Sequence, residues 1–161
     1  MFFWFIGTAV VAVGFVFRDP AFDHRLLVIG SLVPLLDGLT GGIWVLHSVT
    51  VSIVLLAVVM LATAGRRPVR AVLLGLPIGM LLHLVFDGVW TDSDTFWWPF
   101  TGLAVPDGPL PVVARGPWSL LLEVIGVAIC VWLWRRSSLG RPERRRRFLV
   151  DGRLTATVRG V

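Results

Sequence analysis

The sequence predicts an all-α, polytopic membrane protein with about four transmembrane helices plus one short re-entrant or interfacial helix. Three observations carry that prediction. Hydrophobic residues make up 56% of the 161-residue chain and mean hydropathy is +0.83. Apolar runs recur over the first 134 residues, and the breaks between them fall at clusters of Gly, Pro and Arg. A chain of this length has room for one small bundle but not for a bundle plus a separate soluble catalytic domain. Residues 1–134 are therefore read as the bundle and 135–161 as a basic cytoplasmic tail.

The first span runs over 2–17 and is closed by Arg18, Asp19 and Pro20. It is short: at 1.5 Å per residue it covers about 24 Å, against about 30 Å of hydrocarbon. No basic residue precedes it and no small-x-small cleavage site follows, so it is expected to be a retained anchor. The next apolar run, Leu26 to Leu36, is interrupted by Pro34 and too short to span; a re-entrant helix ending near Asp37, with Gly38 to Gly42 as its turn, is expected. The second span is 43–64, the third 70–90 and the fourth 118–134. Trp97, Trp98 and Phe100, in the loop over 91–117, suit an aromatic belt at a membrane interface.

All fifteen basic residues are Arg. They cluster in the turn at Arg66, Arg67 and Arg70 and again after residue 134, and short arginine-rich loops stay in the cytoplasm. Counting spans back from these two points places both termini in the cytoplasm of a bacterial-type inner membrane and leaves Arg18 and Arg25 on the outer face. The run Arg144 to Arg147 is read as a flank for anionic lipid, and no nucleic-acid partner is expected. Cys130 sits alone in an apolar run, which excludes an intrachain disulfide and a thiolate cluster and suits a small core residue.

On this topology His47 lies about 7 Å below the outer end of the second span, and His83 and Asp87 within about 10 Å of the outer end of the third. Asp37, Asp92, Asp94 and Glu123 fall toward the same face. His83 and Asp87 are four apart and share one helix face. Gly79 and Gly75 continue that face backward as a small-xxx-small pattern, so it is expected to meet another helix closely, and Pro77 is expected to kink the helix. An ionisable group facing lipid costs several kcal/mol, so these groups need a partner, and imidazole with carboxylate is a ligand set for zinc and other divalent metals. His83, Asp87, His47 and Asp37 are the candidate ligands. The purely structural alternative has His83 bonded to Asp87, and His47 bonded to Ser48 or a backbone carbonyl. His24 reads as a solvated loop histidine.

The stretches DHRLLVIGSLVPLLDGLTGGIWVLHS, from Asp23 to Ser48, and GMLLHLVFDGVWTDSDTFWWPF, from Gly79 to Phe100, resemble the YdjM-like family of membrane-bound metal-dependent hydrolases. In that family a Gly-x-x-x-Pro-Asp-x-Asp segment, a Thr-His-Ser step, a His-x-x-x-Asp helix and a Trp-Pro element recur. Asp37 matches the second acid, His47 the His step, His83 and Asp87 the helical pair, and Trp98, Pro99 and Phe100 the last element. Leu35 stands in place of the first acid and Leu46 in place of the Thr. The first departure implies either a thinner site, with one ion instead of two, or a chain that keeps the fold without the activity.

The resemblance implies a metal-dependent hydrolase. The placement of the ligands suggests an ester or phosphoester substrate that is amphiphilic or lipid and is reached from the outer leaflet, with whichever of Asp37 and Asp87 does not bind metal as the general base. A non-catalytic protein with a structural or transport-related ion site is the alternative. No Gly-x-Ser-x-Gly elbow and no phosphate-cradling loop is present, which argues against a metal-free serine hydrolase or an ATP-driven pump.

Overall fold

The computed structural model describes residues 1–17, 22–39, 45–104 and 114–154. Among these, every regular element is helical: α1 (Phe2–Val16), α2 (His24–Gly30), α3 (Val49–Ala62), α4 (Arg67–Leu73), α5 (Gly75–Asp87), α6 (Ser93–Phe96), α7 (Pro117–Arg136) and α8 (Pro142–Asp151). Short 3-10 segments occupy Val33–Leu39, Val45–His47 and Val89–Thr91. Two stretches, Arg67–Asp87 and Pro117–Arg136, are long and apolar enough to cross a membrane; Phe2–Val16 and Val49–Ala62 are apolar but shorter. The second span expected over 43–64 begins as a helix only at Val49, because Ser48 caps it through a hydrogen bond from the Thr50 N–H at 3.1 Å. Residues 18–20, which were read as closing the first span, and residues 40–44 lie outside the described chain.

α5 is the centre of the bundle. Its Gly face is packed against α2, as the small-xxx-small spacing requires: a Cβ on Gly79 would run into the Leu27 carbonyl, one on Gly30 into the Leu76 carbonyl, and one on Gly75 would meet the Leu27 nitrogen at 2.9 Å. Helical bonding is interrupted at Leu74, between α4 and α5, where Pro77 cannot supply an N–H to the Leu73 carbonyl.

α2 and the following 3-10 segment run alongside α5 in the same direction. Asp23 and Arg25 lie near Pro68 and Ala71, Leu27 lies against Gly75, Ser31 against Gly79, and Asp37 reaches the His47 that faces Asp87. The segment read as re-entrant therefore traverses the length of the bundle. Seven α-helical and seven 3-10 residues rise by about 24 Å together. The 3-10 stretch gains length per residue, so an apolar run too short for an α-helical span reaches across.

This extra traverse corrects the chain direction. α1 runs antiparallel to α5: the Trp4 indole donates to the Phe86 carbonyl at 3.3 Å, and Phe5 stacks on His83 with ring centroids 3.8 Å apart. It runs parallel to α7, with Gly7 against Ile129 and Gly126 against Trp4. The first N–H groups of α1, from Phe2, Phe3 and Trp4, donate to the Glu123 carboxylate of α7 at 3.0, 3.2 and 3.3 Å. That carboxylate caps a helix whose own N-cap, Met1, offers no side-chain acceptor. Met1 and the end of α7 therefore lie at opposite ends of the bundle, and the expectation that both termini share one face does not hold.

The tail is not loose. α8 folds back so that the Gly152 carbonyl accepts from the His24 backbone N–H at 2.8 Å, and the Arg25 guanidinium donates to the Leu149 and Val150 carbonyls at 2.9 and 2.8 Å. Leu154 is buried with Ala9, Val10, Val13 and Leu27. His24 is buried at this end, not solvated, and Arg25 lies with the other arginines, not opposite them. Burial raises the pKa of the Asp23 carboxyl, but hydrogen bonds from Arg25 outweigh it and hold Asp23 below the usual carboxylate value. A depressed carboxylate pKa stabilises the fold above its unfolded-state value, and that contribution is lost as pH falls through the folded-state value.

Gly79→Val should cost about 1–3 kcal/mol of stability by forcing α2 off α5. Thermal unfolding followed by tryptophan fluorescence measures it. Gly140→Ala, whose Cβ would meet only the Trp134 indole nitrogen at 3.9 Å, should stay within about 0.5 kcal/mol of the parent. Equal midpoints for the two variants would contradict this packing.

Candidate metal centre

The end of the bundle opposite the tail gathers His47, His83 and Asp87. Each offers one ligand atom, these atoms lie within 4.8 Å of one another, and all three residues are buried. Three elements place them. His83 and Asp87 occupy the last turn and a half of α5, ended by Gly88 in the left-handed region at φ 72°. His47 closes the 3-10 turn that leads into α3, at the helix entrance and not inside the span where counting along a continuous helix would place it.

The hydrogen bonds fix which nitrogen of each ring faces the cluster. His83 Nδ1 lies 2.7 Å from the Ser31 carbonyl oxygen, which can only accept, so Nδ1 carries the proton and Nε2 presents its lone pair. That Nε2 is buried and has no hydrogen-bond partner among the described residues. His47 Nδ1 lies 2.8 Å from Asp37 Oδ2, which also accepts from the His47 backbone N–H at 3.2 Å. The same reasoning turns the His47 Nε2 lone pair inward, where it lies 3.7 Å from Asp87 Oδ2. Asp87 Oδ2 is likewise buried without a hydrogen-bond partner among the described residues.

Among the described residues, the unpartnered His83 Nε2 and Asp87 Oδ2 thus converge beside His47 Nε2. Buried acceptors in this arrangement repel unless a cation joins them, and a buried polar group without a partner costs about 1–3 kcal/mol. The donor set suits a divalent metal ion. Of the contacts that the structural alternative expects, the His83 bond goes to the Ser31 carbonyl instead of Asp87, and the His47 ring bonds Asp37.

Asp37 is not one of the convergent three. It stands behind His47, in the arrangement by which a carboxylate orients a metal-ligating imidazole. Asp92 is occupied locally, capping α6 by accepting from the Asp94 N–H at 3.2 Å and from the Thr95 hydroxyl at 2.7 Å. The Trp98 carbonyl accepts from the Ser48 hydroxyl at 2.6 Å, which pins the aromatic loop over the His47 turn.

One residue at the site has no counterpart in the sequence reading. Arg115 bonds both Asp87 Oδ1 and the Asp87 backbone carbonyl. The available signal was its isolation: it is the lone basic residue between 91 and 117, in a loop otherwise carrying acids.

Metal analysis of the purified protein tests the assignment of ligand and supporting acid. His83→Ala and Asp87→Ala should abolish stoichiometric metal, whereas Asp37→Asn should weaken affinity by about 10- to 100-fold, as loss of a carboxylate behind a ligating His does. Metal content unchanged by the first two substitutions would remove the site.

Comparison with known proteins finds no matching family model, no matching curated protein and no matching solved structure.

Proposed function

We propose that this chain is a membrane-embedded, metal-dependent hydrolase of esters or phosphoesters, with zinc the favoured ion. The observation that carries the reading is the buried convergence of His47, His83 and Asp87 at one end of an apolar bundle, with His83 Nε2 and Asp87 Oδ2 lacking a hydrogen-bond partner among the described residues. The resemblance to the YdjM-like hydrolases, carried by the same residues, supports it.

Sidedness supports the membrane part. Among the described residues, Arg115 is the one arginine at the metal end, and all the others lie toward the tail end. That asymmetry matches the tendency of arginine-rich loops to stay in the cytoplasm and supports a site toward the outer leaflet. With α2 and its 3-10 extension as a crossing element, the chain crosses five times, N-terminus outside and tail inside. Arg25 then sits with the cytoplasmic arginines.

His47, His83 and Asp87 would hold a divalent ion, which would supply Lewis acidity toward an ester oxygen and lower the pKa of water. The chain's own residues set the rest. His83 is held by Ser31 and stacked beneath Phe5; His47 is aimed by Asp37, which acts as a positioning residue; and Asp87 Oδ2 is the carboxylate oxygen that would hold the ion. The depth of the site, one to two helical turns from the bundle end, fits a headgroup approaching from the bilayer surface.

A sealed, structural ion is the second reading, favoured by burial: His47 and His83 are each 1% exposed and Asp87 3%. Turnover separates the two. Zinc-loaded protein should hydrolyse members of a panel of phosphoesters and carboxyl esters presented in mixed micelles, a chelator should abolish this, and added zinc should restore it. Loaded protein inert toward the whole panel supports the sealed ion.

Topology is tested by labelling single cysteines introduced at Phe2, Arg67 and Asp94 in a Cys130→Ser background. A membrane-impermeant reagent applied outside should reach positions 2 and 94 but not 67. Labelling of 67 together with 2 would overturn the five-crossing path.

A further inference from the structure

We infer that Arg115 is an anion-binding residue that selects substrates carrying a phosphoryl oxyanion beside the metal site; this rests on the hydrolase reading and narrows its substrate class.

Arg115 stands just before α7, twenty-eight residues beyond Asp87 in the chain. Its Nη2 bonds Asp87 Oδ1 and the Asp87 backbone carbonyl, which is one of the carbonyls left without a partner at the end of α5. The Asp87 carboxylate is thereby divided: Oδ1 faces Arg115 and Oδ2 faces the histidines. A guanidinium carries five N–H donors in a rigid fork, and both contacts to Asp87 use one nitrogen. Among the described residues the donors on Nε and Nη1 have no acceptor and can take another oxygen.

Exposure separates this residue from the ligands. The Arg115 side chain is 28% exposed while that of Asp87 is 0% exposed, so the guanidinium spans from the buried cluster to the surface. An oxyanion bound at the site meets the guanidinium on the open side and the metal ligands on the closed side. A phosphoryl group has non-bridging oxygens for both, and the planar fork matches phosphate geometry. A neutral carboxyl ester has no anionic oxygen for Arg115. Helix capping alone would account for the contact to the backbone carbonyl, but not for a charge placed against the ligand carboxylate with donors to spare.

The test uses the full chain purified in neutral detergent, with zinc measured by elemental analysis and binding by calorimetry. The probes are inorganic phosphate, dioctanoyl phosphatidic acid in the same micelles, and dioctanoylglycerol as the uncharged control. The parent should bind both phosphate probes and not the control. Arg115→Gln should weaken phosphate binding by about 10- to 100-fold, as loss of charge-assisted hydrogen bonds does, with zinc content unchanged, and Arg115→Lys should recover part of the loss.

Phosphatidic acid bound more tightly than inorganic phosphate would identify a lipid headgroup as the source of the oxyanion; the reverse order would identify a soluble phosphate. Equal phosphate binding by the parent and Arg115→Gln, or loss of zinc in Arg115→Gln, overturns the inference and leaves the hydrolase reading standing. A parent that holds no zinc yet binds phosphate through Arg115 overturns the hydrolase reading alone.

Discussion

The site depends on how closely α2 approaches α5. Gly30, Gly75 and Gly79 present no side chain of their own at the crossing, so backbone meets backbone. Only at that distance can the Ser31 carbonyl reach His83 Nδ1, at 2.7 Å. The carbonyl fixes the tautomer, the tautomer turns the Nε2 lone pair inward, and an inward lone pair is what a metal requires. A single Cβ at Gly79 would therefore act on the site through geometry, without touching a ligand.

A second constraint comes from the opposite flank. Glu123 of α7 supplies the acceptor that the start of α1 lacks, and Gly7 and Gly126 let these two helices approach closely, with the Ile129 side chain seated on Gly7. α1 is thereby held at the height where Phe5 covers one face of the His83 ring. One histidine is positioned by a carbonyl at its edge and an aromatic ring on its face, each from a different helix. The other, His47, is positioned by Asp37 and by a loop pinned through Ser48 and Trp98.

Much of this could be read from the residues. The His83 and Asp87 spacing, the Gly face behind them and the gathering of His47 and Asp37 at one end follow from helical periodicity and the cost of burying charge. The path of residues 24–39 could not, because apolar length in a sequence is converted to distance at the α-helical rise, whereas the 3-10 stretch Val33–Leu39 spans more distance per residue. That one segment reverses α1 and moves Arg25 to the other face. The division between His83 and Asp37, one a candidate ligand and the other a support, also lies beyond spacing; it depends on which ring nitrogen each hydrogen bond occupies. The docking of α8 was hidden because its contacts to His24 and Arg25 run mainly through backbone carbonyls, which carry no sequence signal.

The central claim, that two imidazoles and one carboxylate share an ion, is tested most directly by X-ray absorption at the zinc edge of the purified, loaded protein. It should give nitrogen and oxygen neighbours at about 2.0–2.1 Å, with the outer-shell scattering of two imidazole rings and no sulfur. A spectrum without imidazole scattering, or one dominated by a sulfur neighbour, would contradict the account.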